Sequence, residues 1–126
     1  MKPFVWDTET GPREDAANFV EPPEAPSNWK DPAKIAAYIE EKRAAQLERA
    51  ALDACTARIL CIGVLREESG VGFIYDDNET VLLRRAWNEF ETRAADEIFV
   101  GFNSGKFDWP MLARRSYALG IRVPSW

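Results

Sequence analysis

The 126-residue chain has no histidine. Imidazole-based triads, histidine-ligated zinc sites and a histidine general base are therefore excluded from these residues, and any catalysis falls to carboxylates and bound water. Cysteine is scarce as well. Cys55 and Cys61 lack the spacing of a zinc pair, and Cys61 lies in the apolar run Ile59-Leu60-Cys61-Ile62, so a buried free thiol in a reducing compartment is expected. No uninterrupted apolar stretch is long enough to span a bilayer, and the chain opens on a strand-like run rather than a basic-then-apolar leader. The expected location is cytoplasmic, with no membrane partner. A net charge of -5 leaves no broad cationic surface for sequence-independent duplex binding. There is no internal repeat and no low-complexity tract.

What is present suits one domain: 46% of residues are hydrophobic and 12% aromatic, enough for a single core at this length. Lys2 to Glu9 reads as a strand, with Phe4 and Trp6 on one face and Val5, Asp7 and Glu9 on the other. Residues 11–28 carry several prolines and acids and read as an extended loop. Asp31-Pro32 then looks like an N-cap followed by proline at the first helical position, opening an alanine-rich helix to about Asp53. Ile35, Ile39 and Leu47 would form its apolar face. Arg58 to Arg66 is nearly continuous in apolar residues, as expected of a central strand covered on both faces, and Gly70 to Tyr75 would be its hairpin partner. Asn78 to Ala94 has helical apolar spacing, Ile98 to Val100 makes a short strand, and Pro110 to Leu119 reads as a helix stopped by Gly120. This order describes an α/β fold whose sheet combines an antiparallel hairpin with a parallel return.

Two motifs carry the chemistry. Asp7-Thr8-Glu9 closes the first apolar strand and points two carboxylates the same way. Asp77-x-Glu79 and Glu89-x-Glu91 share the acid-x-acid spacing, but neither ends an apolar strand. The second motif runs from Gly101 through Asn103 and Gly105 to Phe107-Asp108-Trp109-Pro110, directly after the short strand. It puts Asp108 at a helix N-terminus, where an ordinary N-cap is the simplest role. Carboxylate oxygens at strand edges suit hard divalent cations. Around the second motif, from Asn103 to Trp126, four cations face one acid, which permits a local nucleic-acid contact at that edge. Trp29 and Tyr38 could stack on bases, but packing the insertion onto the domain is their expected use. The Lys42-Arg43 and Arg84-Arg85 pairs read as solvated helix faces, and Gly101 to Lys106 lacks the spacing of a phosphate loop.

Phe-Val-Trp-Asp-Thr-Glu-Thr (Phe4 to Thr10), followed by Val-Gly-Phe-Asn-x-x-x-Phe-Asp-x-Pro-x-Leu (Val100 to Leu112), resembles the first two motifs of the DEDD, proofreading-type 3'-5' exonucleases. The insertion after the first strand, about 14–54, most resembles such domains encoded by phages and prophages. The resemblance implies a ribonuclease H-like fold and two-metal hydrolysis of phosphodiester bonds at the 3' end of nucleic acid. DNA is the expected substrate, as single-stranded or frayed ends, with RNA the other candidate. It further implies Mg²⁺ or Mn²⁺ as a pair of ions, with Asp7 bridging them, Glu9 on the ion that activates water and Asp108 on the other. Thr10, Asn103 and Phe107 match positions near the terminal nucleotide, and replication or repair proteins are the implied partners. The family's fourth carboxylate, with the tyrosine or histidine that orients the water, has no counterpart here. The likeness is thus to the N-terminal portion of such a domain, and very weak activity or none is expected from these residues alone. The alternative is a catalytically degenerate module of the same fold that binds nucleic acid or a polymerase.

Overall fold

The structure, a computed structural model, describes residues 1–125. Its elements are β1 (Lys2–Pro12), a short 3-10 turn (Ala16–Phe19), α1 (Pro32–Ala50), β2 (Ala57–Arg66), β3 (Gly70–Tyr75), α2 (Glu79–Arg93), β4 (Glu97–Val100) and α3 (Asp108–Ala118). The chain divides into two compact units, one of Met1–Thr10 with Arg58–Trp126 and one of Gly11–Ala57.

The first unit is a four-stranded sheet in the order β3-β2-β1-β4, flanked by helices. β1 and β4 run parallel with Phe4 opposite Phe99 and Val5 opposite Val100, and the remaining pairs are antiparallel. Alternation along β1 buries Phe4, Trp6 and Thr8 and exposes Val5, Asp7 and Glu9. The buried face meets α2 and α3 through aromatic side chains. Phe90 of α2 stands edge-on to Phe4, Trp6, Phe99 and Trp109, with ring centroids 5.2 to 5.7 Å apart, the geometry that aromatic quadrupoles favour.

The other sheet face departs from expectation. β2 was expected to be covered on both sides, yet Leu60, Leu65, Val71, Phe73 and Tyr75 are exposed, as are Ile98 and Val100 on β4. The pairing of Cys61 with Tyr75, Gly63 with Phe73 and Leu65 with Val71 places Leu65, Val71, Phe73 and Tyr75 on one face of the hairpin. The apolar run of β2 thus reflects apolar residues on both faces, not burial of both. Cys61, expected to be buried, lies half-exposed on this face and is a free thiol.

Two side-chain ties fix α2 and α3 together. The Arg115 guanidinium donates from Nε to Glu79 Oε1 at 2.8 Å and from Nη2 to Glu79 Oε2 at 2.7 Å, and Glu79 Oε1 also accepts the Ile59 amide at 3.1 Å. Trp87 Nε1 donates to Ser116 Oγ at 2.8 Å. Helix, helix and strand are thereby locked before any functional group is considered.

The second unit is stitched at its ends. The Arg13 amide donates to the Thr56 carbonyl at 2.8 Å, and Arg13 Nη1 donates to the Cys55 carbonyl at 3.1 Å, so the segment leaves and returns at adjacent points. Asp31 caps α1 by accepting from the Ala33 amide at 3.0 Å, with Pro32 at the first position as expected. The helix ends at Ala50 rather than near Asp53, where a turn closed by the Thr56 hydroxyl on the Ala50 carbonyl takes over. Of its expected apolar face, Ile35 and Ile39 are half-buried and Leu47 is exposed.

Candidate functional site

β4 stops at Val100, opposite Val5, while β1 continues beyond it. From Trp6 onward β1 therefore has no β4 partner, and the second motif occupies that edge. Gly101 is where the chain must pass tightly: a Cβ there would lie 2.7 Å from Ser104 Cβ and 3.2 Å from the Trp6 carbonyl. Asn103 follows with φ of 55°, a left-handed conformation that asparagine tolerates better than most residues. Its carbonyl accepts the amides of Lys106 and Phe107 at 3.0 and 3.1 Å, and the Ser104 carbonyl accepts Trp109 at 2.9 Å. A tight turn thus delivers the chain into α3 with Asp108 as the first helical residue.

An acid at that position usually caps its own helix or complements the positive end of the helix dipole. The N-cap position falls on Phe107, which makes no side-chain cap among the described residues. The Asp108 Oδ1 instead reaches across 100 residues to accept the Thr8 amide at 3.2 Å and the Thr8 hydroxyl. Asp108 is 3% exposed and Thr8 7%, so both bonds are shielded from water. The second motif is therefore pinned onto the residue between the two acids of the first.

Asp7 and Glu9 stand one residue either side of Thr8 and project to the exposed face. No ion pair engages Asp7, Glu9 or Asp108 among the described residues. Two like charges at i and i+2 on one strand face repel each other, and a bound cation relieves that repulsion. In donor chemistry the three acids suit a hard, oxygen-preferring ion such as Mg²⁺ or Mn²⁺. In arrangement, no group of three or more histidine, cysteine, aspartate or glutamate side chains that could hold a metal ion is formed among the described residues. Asp7 and Glu9 share a face, whereas Asp108 engages Thr8, whose side chain belongs to the buried face of β1.

Thr10 is half-buried near the end of β1, Asn103 is exposed in its left-handed turn, and Phe107 is half-buried just before α3. Sequence reasoning did not find Thr8 as the partner of Asp108. The signal available was its place between two outward acids, which aims its side chain inward.

Cys61 reports on this face. Burial, and secondarily the Glu9 charge, push its thiol above the ordinary value. At pH 8 less of it is thiolate, so alkylation of Cys61 should be slower than that of exposed Cys55, with Glu9→Gln narrowing the gap. Peptide mapping after timed iodoacetamide exposure checks this; equal rates in the parent chain would contradict it.

The fold built from these elements has known counterparts. One solved structure that it resembles is the family B DNA polymerase from the hyperthermophilic archaeon Pyrobaculum calidifontis, with a TM-score of 0.56 and 16% sequence identity over 96% of this chain. Its four-stranded mixed α/β sheet flanked by helices is compatible with a ribonuclease H-like fold. The chain spans 11% of the length of that polymerase chain. No family model and no curated protein matches the sequence. No helix among the described residues is long and apolar enough to cross a membrane.

Proposed function

We propose that this chain carries the carboxylate site of a metal-dependent 3'-5' exonuclease acting on the 3' ends of DNA, with Asp7, Glu9 and Asp108 as the metal-binding acids. The observation that carries the reading is the buried contact of Asp108 with Thr8, which joins two motifs 100 residues apart at one strand edge. Likeness of fold to a DNA polymerase and the resemblance of both motifs to proofreading-type exonucleases support the same substrate class. When bound, a pair of Mg²⁺ or Mn²⁺ ions supplies an activated water and offsets the charge of the departing 3' oxygen. The chain's own part is to present Asp7 and Glu9 on the open face and to fix Asp108 against Thr8, the residue between them. Thr10, Asn103 and Phe107 lie along the same two motifs, where they would meet the terminal nucleotide.

A second reading draws on the lack of a three-acid group among the described residues: the same fold retained as a module that binds nucleic acid or a replication protein without cutting. Release of nucleotides from a 3'-labelled single strand in Mn²⁺ separates the two. Under the first reading the chain releases nucleotides, slowly, and Asp7→Ala lowers the rate by more than about 100-fold, since even the outer partners of metal ligands are worth about 10–100-fold. No release by the parent chain, with single-strand binding intact, would establish the second.

A further inference from the structure

The second unit keeps its large side chains at its surface. Its buried residues are small, namely Gly11, Ala16, Ala50, Thr56 and Ala57, whereas Phe19, Trp29, Tyr38 and Leu52 are half or fully exposed. Of the 19 residues of α1 only Ala50 is buried. Rings that served only to pack this segment would be expected inside it.

The rings are instead paired with cations. Trp29 and Tyr38 meet edge to face, with centroids 5.2 Å apart and planes at 68°. Lys34 Nζ lies 4.1 Å from the Trp29 centroid and Lys42 Nζ 5.3 Å from that of Tyr38. Lys34, Tyr38 and Lys42 follow one another at four-residue intervals, which lines them along one face of α1. Trp29 is fixed beside them by a turn in which its amide donates to the Pro26 carbonyl at 3.0 Å. A similar pairing recurs in the same unit, where the Arg13 guanidinium lies 5.1 Å from the Phe19 ring centroid.

Alternating aromatic surface and flexible cations is the pattern that holds single-stranded nucleic acid: bases stack on rings while ammonium groups follow the phosphates. A duplex fits it poorly because its bases are already stacked. Glu41 flanks the stripe, so its affinity is set below that of an all-cationic groove. We infer that Trp29, Tyr38, Lys34 and Lys42 form a stacking platform for single-stranded DNA. The inference rests on the nucleic-acid reading of the chain and extends it by assigning the inserted segment the role of holding the strand.

The test is fluorescence anisotropy of a labelled oligothymidylate with the whole chain in EDTA, so that binding is read without cleavage. Trp29→Ala with Tyr38→Ala should weaken binding by about 10-fold or more, since each stacked base is worth about 5- to 150-fold. Trp29→Phe with Tyr38→Phe should restore most of it. Lys34→Gln with Lys42→Gln, at exposed positions, should lower the slope of log affinity against log salt by about 1.4, or about 0.7 for each lost phosphate contact. Unchanged affinity and slope in folded variants, or equal competition by a blunt duplex or by heparin, would overturn the platform. The outcomes are separable from the cleavage experiment. Nucleotide release with unaltered platform variants overturns this inference alone, and platform-dependent binding without release overturns the exonuclease reading alone.

Discussion

Arg115→Ala is expected to destabilise the chain by about 3–5 kcal/mol, the usual cost of removing one partner from a buried ion pair. The pair is buried, with side-chain exposures of 4% for Arg115 and 11% for Glu79, and both its hydrogen bonds are short and parallel. Removal of the guanidinium leaves the Glu79 carboxylate uncompensated between α2, α3 and β2, with only the Ile59 amide on one oxygen. Against a total stability of about 5–15 kcal/mol, this is a large fraction. It should appear as a fall in melting temperature of about 10–20 °C, at about 4 °C per kcal/mol for a chain of this size. Arg115→Met combined with Glu79→Gln should recover much of the loss, because the neutral amide still accepts from Ile59 and the Glu79 position no longer carries a buried charge. Circular dichroism melts and urea titrations of the three proteins decide the matter. A loss below about 1 kcal/mol in Arg115→Ala would mean that the pair does not hold the helices.

Thr8→Val should give the second large effect. A hydrogen bond to a charged group is worth about 1.5–3 kcal/mol, and the loss of the hydroxyl leaves Asp108 Oδ1 with the Thr8 amide alone in a buried setting. Thr8→Ser should stay close to the parent. The same substitution loosens the acid that the exonuclease reading places at the metal site, so Mn²⁺ affinity, followed by the rise in melting temperature on titration, should fall by about 10–100-fold. Thr8→Val melting with the parent, at unchanged Mn²⁺ affinity, would show that the contact neither stabilises the fold nor positions Asp108.

The elements of the fold were largely legible in the residues. Asp31-Pro32 announced the start of α1, the apolar spacing of Val81, Leu82, Ala86, Trp87 and Phe90 announced α2, and Gly70–Tyr75 was recognised as the hairpin partner of β2. The antiparallel hairpin and parallel return came from the element order. What failed did so for a local reason. Leu60 and Leu65 read as buried because periodicity reports apolarity and not what covers it, and the Ala16–Phe19 turn lies in a segment whose prolines suggested extended chain. The site was legible as two motifs but not as a contact. That Asp108 bonds to Thr8, and not to its own helix, depends on where β4 stops and on the left-handed turn at Asn103, and neither has a periodic signature.

The early end of β4 has a consequence for how this chain tolerates change in length. An extra residue in the four-residue β4 reverses the faces of the residues after it and carries Gly101 off its close approach to Trp6, so the turn no longer sets Asp108 against Thr8. An extra residue between Val20 and Asn28 meets no such register, because that stretch lies outside the regular elements. The two strand-following segments of the chain therefore stand at opposite extremes of permissible drift. Residues 21–27 are free to lengthen, shorten and diversify, while the few residues from Glu97 to Asp108 behave as a ruler whose length is fixed by the carboxylate at its end.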